Sequence, residues 1–121
     1  AGGAKAVRRA AEESGAGTIG VETNQGGDLV AALMRRAGGA ALRVKPVRAS
    51  ASKTVRAEPV SLLYEQGRVH HVGSLPGLED EMCLFGGASA GAKSPDRVDA
   101  LVWALSELMP RRGAAARVRP V

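Results

Sequence analysis

Aromatic side chains are nearly absent from this chain of 121 residues: Phe85, Tyr64 and Trp103 are the only three. Ala, Val and Leu must therefore build most of any core, and small-residue packing is expected. Cys83 is the single cysteine, so no internal disulfide can form, and a lone thiol of this kind is expected to serve as a small buried hydrophobe. No apolar run reaches the ~18 residues that span a bilayer, and the N-terminus lacks the charged, then apolar, then small pattern of a secretory signal. An intracellular location is expected. There is no GxxxxGK[ST] phosphate loop and no glycine pattern of a nucleophile elbow around any serine, so neither ATP hydrolysis nor acyl transfer is supported.

What is present fits one domain, since compact domains cluster near this length. The net charge of +5 is unevenly spread. Residues 35 to 68 carry eight basic side chains (Arg35, Arg36, Arg43, Lys45, Arg48, Lys53, Arg56, Arg68) against Glu58 and Glu65, a local balance of +6. Such a segment could form an electrostatic footprint for a polyanion, and an ordinary solvated basic face would give the same pattern.

Residues 4 to 14 have helix-forming composition and stop at Gly15. TIGVE, residues 18 to 22, is a β-branched run bounded by glycine, and DLVAALMRR after it has helical spacing. ALRVKPV reads as the next strand. Ser50 to Ser52 precede a helical run from about Lys53 to Glu65, which Pro59 is expected to break or kink. Gln66 and Gly67 read as a turn into a short strand, RVHHV, followed by a helical LEDEMCLF. Ser94 and Pro95 start a last helix, with Ser94 as cap and Pro95 at the first helical position; Val98, Leu101, Val102, Leu105, Leu108 and Met109 repeat along it. The domain is expected to span residues 1 to 110, with 111 to 121 a basic disordered tail. Helix alternating with strand predicts an α/β fold with helices packed on a sheet. The chain begins inside a helix and offers few strands, which a missing N-terminal portion would explain.

Three carboxylates stand at functional addresses. Glu22 ends a strand, where ligands bind in open α/β sheets, and polar and glycine residues follow it. Asp96 and Asp99 lie three apart on one helix, so they share a face and repel unless a cation or the helix N-terminus offsets them. Ordinary strand-end and helix-start acids have the same positions. Brought together, the three would be hard oxygen ligands suited to Mg²⁺ or Mn²⁺, and two such ions could activate water and stabilise the leaving oxygen of a phosphodiester. His70 and His71 have no partner at metal-ligand spacing and read as structural.

VETNQGGDLV at 21 to 30, KTVRAEPVSLLYEQGRVHHVG at 53 to 73, LEDEMC at 78 to 83 and SPDRVDALVWALSEL at 94 to 108 occur in this order. Together they resemble the nuclease domain of the large terminase subunit of tailed bacteriophages, related prophages and gene transfer agents. The resemblance implies a ribonuclease-H-like mixed sheet flanked by helices, its first strands missing from this chain. It implies an endonuclease that cuts concatemeric double-stranded DNA with two Mg²⁺ or Mn²⁺ ions. Glu22 matches the family's second acidic position, and Asp96 or Asp99 the third. The first, an aspartate on the opening strand, has no counterpart here, so the chain is expected to be inactive alone. Asn24, Gln25 and Asp28 fall in the matched motif beside Glu22, Asn24 and Asp28 in supporting roles, Asp28 by orienting ligands or capping a helix. Lys53, Arg56 and Arg68 are expected to contact DNA phosphates. Implied partners are the packaging ATPase domain, the small terminase subunit and the capsid portal, in the cytoplasm of a bacterial host, with no membrane. A junction resolvase, a transposase or an inactive DNA-binding remnant would share much of this pattern.

Overall fold

Two glycines with positive φ mark where helices end. A computed structural model describes residues 2–23, 42–85 and 95–109, together with positions 29, 32, 35 and 36. The chain divides into two compact units, Ala1–Ser50 and Ala51–Val121. In the first, helix α1 (Gly2–Ser14) runs out at Gly15, whose φ of 75° is the left-handed conformation that costs glycine little. Gly15 N–H donates to Glu12 O, and Ala16 N–H to Ala11 O at 2.9 Å, which satisfies carbonyls the helix would leave open. Ala4 and Ala11, two turns apart, are the buried positions of α1.

Strands β1 (Thr18–Glu22) and β2 (Arg43–Val47) pair in parallel, Thr18 opposite Arg43 and Glu22 opposite Val47. Registered residues of parallel strands share a face, so Thr18, Gly20 and Glu22 lie with Arg43, Lys45 and Val47. A Cβ on Gly20 would meet Val47 Cγ1 at 3.9 Å, as that arrangement requires. Positions 29, 32, 35 and 36 are helical, in keeping with the helix expected over DLVAALMRR.

In the second unit, Ser52 Oγ accepts from Val55 N–H at 3.2 Å and starts helix α2 (Lys53–Glu65). Pro59 does not break this helix; it withholds one N–H, and the helix continues through it. α2 ends as α1 does: Gly67 has φ 69°, its N–H reaches Tyr64 O, and Arg68 N–H reaches Leu63 O. Helix α3 (Pro76–Leu84) and helix α4 (Asp96–Leu108) follow, and α4 packs against both α2 and α3. Ala57, Val60, Val98 and Val102 form the buried seam, with Tyr64, Leu78, Met82, Phe85 and Leu105 closing over it. Ala and Val make the buried centre of this seam, with Tyr64 and Phe85 at its margin, the small-residue packing that the shortage of aromatics predicts.

Three expectations are corrected. RVHHV is not a strand: residues 68–71 have no regular structure, and Val72 is 98% exposed. His71 instead turns to side chains, its Nε2 2.8 Å from Tyr64 Oη and its Nδ1 2.7 Å from Glu79 Oε2, so the segment is tied to α2 and α3. Cys83 is exposed, because α3 turns Leu78, Met82 and the adjoining Phe85 toward the seam. Pro95 is the residue before the first helical one and makes no side-chain cap. Ser94 and the 111–121 tail lie outside the described residues. No helix among the described residues is long and apolar enough to cross a membrane.

Candidate active site

Glu22 is the last residue of β1 and is exposed. Thr23, immediately after it, donates from its backbone N–H to Val47 O at 2.9 Å, so the pairing with β2 extends one residue beyond the carboxylate. That bond fixes the backbone at Glu22, which shares its face with the basic Arg43 and Lys45. Asn24, Gln25 and Asp28 lie outside the described residues.

The second group is built where the first turns of α2 and α4 meet. Lys53 and Arg56 are three apart on α2; Asp96 and Asp99 are three apart on α4; each base meets one acid. Arg56 Nη2 donates to Asp99 Oδ1 at 2.7 Å, and both side chains are only 13% exposed. The same guanidinium donates from Nη1 to Ala51 O and lies over the ring of Trp103, with Cζ 4.9 Å from the centroid. Trp103 is one turn beyond Asp99, so two of these three contacts come from a single stripe of α4. Lys53 Nζ stands 3.5 Å from Asp96 Oδ1, and Asp96 is 79% exposed.

The two pairs differ greatly in energy. Removing one partner of the part-buried Arg56–Asp99 pair strands a charge, and with 13% exposure on each side chain the cost falls at the lower end of the about 3–5 kcal/mol found for buried pairs. A long, exposed pair such as Lys53–Asp96 is worth about 0–1 kcal/mol.

Among the described residues, no side chain of its own caps the N-terminus of α4; a carboxylate of α3 does. Glu81 Oε1 accepts from the N–H groups of Arg97 at 3.0 Å and Val98 at 3.3 Å, and Oε2 accepts from Arg97 Nη1 at 2.7 Å. These two amides are among the donors a helix start leaves open. Bonding from Arg97 and from the two amides holds the Glu81 carboxyl below its ordinary value. Glu79 is lowered too, chiefly by its bond to His71, while burial, with the nearby Glu79 charge, raises Tyr64. Gly77 makes room for this arrangement, since a Cβ there would stand 3.2 Å from Arg97 Nε.

Of the residues expected to act, the structure thus joins Lys53 to Asp96 and Arg56 to Asp99. Arg68 is exposed, just past the end of α2. Glu81, Arg97 and Trp103 were not legible as site residues. The one signal for the pairing was the equal three-residue spacing of the two bases and the two acids. Among the described residues, no three His, Cys, Asp or Glu side chains form a group that could hold a metal ion. The donor chemistry of Glu22 and Asp96, exposed carboxylate oxygens, does suit Mg²⁺ or Mn²⁺.

A pair of parallel strands and the helices described make this an α/β protein. The particular family follows from residues 1–108, which match the model of the terminase RNaseH-like domain. The chain belongs to that family, and its fold is of the ribonuclease-H-like kind. No curated protein and no solved structure matches it.

Proposed function

We propose that this chain is nuclease machinery of a DNA-packaging terminase, cutting concatemeric double-stranded DNA by phosphodiester hydrolysis that depends on two divalent ions. The observation that carries the reading is the terminase RNaseH-like family match over residues 1–108, which spans both Glu22 and the exposed Asp96. Glu22 and one of the pair Asp96 and Asp99 hold Mg²⁺ or Mn²⁺. When bound, such ions lower the pKa of water and stabilise charge on the phosphoryl oxygens. The protein supplies the placement: β1 and β2 fix the backbone at Glu22, and the α2–α4 seam fixes the first turn of α4.

Lys53 and Arg68, with the exposed Arg43, Lys45 and Arg48, supply attraction for the phosphate backbone that does not depend on sequence. Asn24 and Asp28 support Glu22. The packaging ATPase domain, the small terminase subunit and the capsid portal are the partners this role calls for.

The test is Mn²⁺-dependent conversion of supercoiled plasmid to nicked and linear forms, with Glu22→Gln beside the unaltered protein. Cleavage that disappears in Glu22→Gln at an unchanged melting temperature is expected. Equal cleavage by the two proteins would sink the assignment of Glu22. Duplex binding without any cleavage would favour a DNA-binding remnant, and preference for branched junctions a resolvase.

A further inference from the structure

Resting on the nuclease reading above, we propose that Glu81 is a positioning residue of the reaction: from α3 it holds the turn of α4 that carries Asp96 and Asp99, without touching the substrate. Its Oε1 accepts from the backbone N–H groups of Arg97 at 3.0 Å and Val98 at 3.3 Å, the two residues that stand between the two aspartates. Its Oε2 accepts from Arg97 Nη1 at 2.7 Å, so an exposed arginine arm secures a Glu81 side chain that is only 18% exposed. Gly77, one turn before Glu81 on α3, leaves the room that Arg97 takes up, since a Cβ there would stand 3.2 Å from Arg97 Nε.

The first backbone bond of the helix itself runs from Asp99 N–H to Pro95 O, so the amides of Arg97 and Val98 stand before the internal ladder begins. Pro95 makes no side-chain cap for them. The α3 carboxylate thus fixes the backbone beneath the two acids, while their side chains are met from α2 by Lys53 and Arg56. A rotation or slide of this turn would carry both aspartates with it. Misplacing a reacting group by about 1 Å costs on the order of a hundredfold in rate. Glu81 therefore acts through Arg97 and Val98 on the placement of the acids.

The test measures Mn²⁺-dependent plasmid cleavage by the full chain below its melting transition, with kcat and KM separated, and amide hydrogen exchange by NMR on the same samples. In Glu81→Ala, kcat should fall about tenfold or more while KM for DNA changes by less than about threefold. The amides of Arg97 and Val98 should exchange about tenfold faster or more in that variant, and the amide of Val102 should not. Glu81→Gln, which keeps a carbonyl oxygen for the two amides, should restore kcat to within about threefold of the unaltered protein. A residue that only stabilised the fold would speed exchange along all of α4 and leave kcat of the folded molecules unchanged. Should Glu81→Ala not fold, Glu81→Asp, whose arm is shorter, takes its place with the same expected losses. Unchanged kcat once the two amides are opened, or unchanged exchange at those amides, overturns the proposal and leaves the nuclease reading standing. No cleavage by the unaltered chain overturns the nuclease reading, and this role of Glu81 with it.

Discussion

Lys53 and Arg56 look equivalent in the sequence, two bases one helical turn apart in a basic segment, but the structure predicts opposite consequences for their removal. Arg56→Ala strands Asp99 at 13% exposure and strips the face of Trp103. Taking the lower end of the buried-pair range, because both groups keep some solvent contact, the loss is about 3 kcal/mol. For a cooperative unit the size of Ala51–Val121, that is a fall of roughly 12–24 °C in melting temperature. Lys53→Ala removes an exposed contact and should shift melting by less than about 1 kcal/mol. Duplex affinity reads the other way. Lys53→Ala should weaken binding and reduce the slope of log affinity against log salt by about 0.9, the contribution of one phosphate contact. Arg56→Ala, assayed below its melting transition, should leave that slope unchanged. Differential scanning fluorimetry and fluorescence anisotropy over a salt series supply both readouts. An Arg56→Ala protein that melts normally and loses a phosphate contact would refute the burial argument.

Two further outcomes follow from the same unit. Glu81 has its carboxyl held below 4.5 in the folded chain, so its contribution to stability is fully present above that value and is lost as pH falls through the lower folded-state value. Melting temperature measured from about pH 6 down to about pH 3 should therefore decline, and Glu81→Gln should flatten part of the decline. An unchanged slope in that variant would remove Glu81 as the cap of α4. Val102, only 2% exposed at the centre of the seam, loses two methyl groups in Val102→Ala, and urea denaturation should show a loss of about 2–3 kcal/mol. A loss under about 0.5 kcal/mol would mean the seam is not close-packed.

Local signals were read well where punctuation was strong. Thr18–Glu22 and Lys53–Glu65 emerged with their observed limits because glycines bound the first and Ser52 caps the second. RVHHV failed because its composition suits a strand equally well, and only the three-dimensional placement of Tyr64 and Glu79 draws His71 out of an extended ladder. The acids of α4 and the bases of α2 were each visible from spacing. Their pairing spans 43 residues of chain, and no local pattern encodes it. Composition offered Arg56 as a phosphate contact, and its pairing with Asp99 lay beyond what charge composition carries. Glu81 escaped notice because a cap borrowed from another helix leaves no trace at the helix it caps. The family resemblance supplied what spacing left undecided, and residues 1–108 match that family.

The borrowed cap has an engineering consequence. The α3 carboxylate grips two amides and the Arg97 side chain at the start of α4, so the register between these helices is set by a clasp on their own residues. One substitution at Glu81 should therefore loosen the seating of α4 on α3, and Asp96 with it. Natural sequences of this family should accordingly be restricted at the clasp.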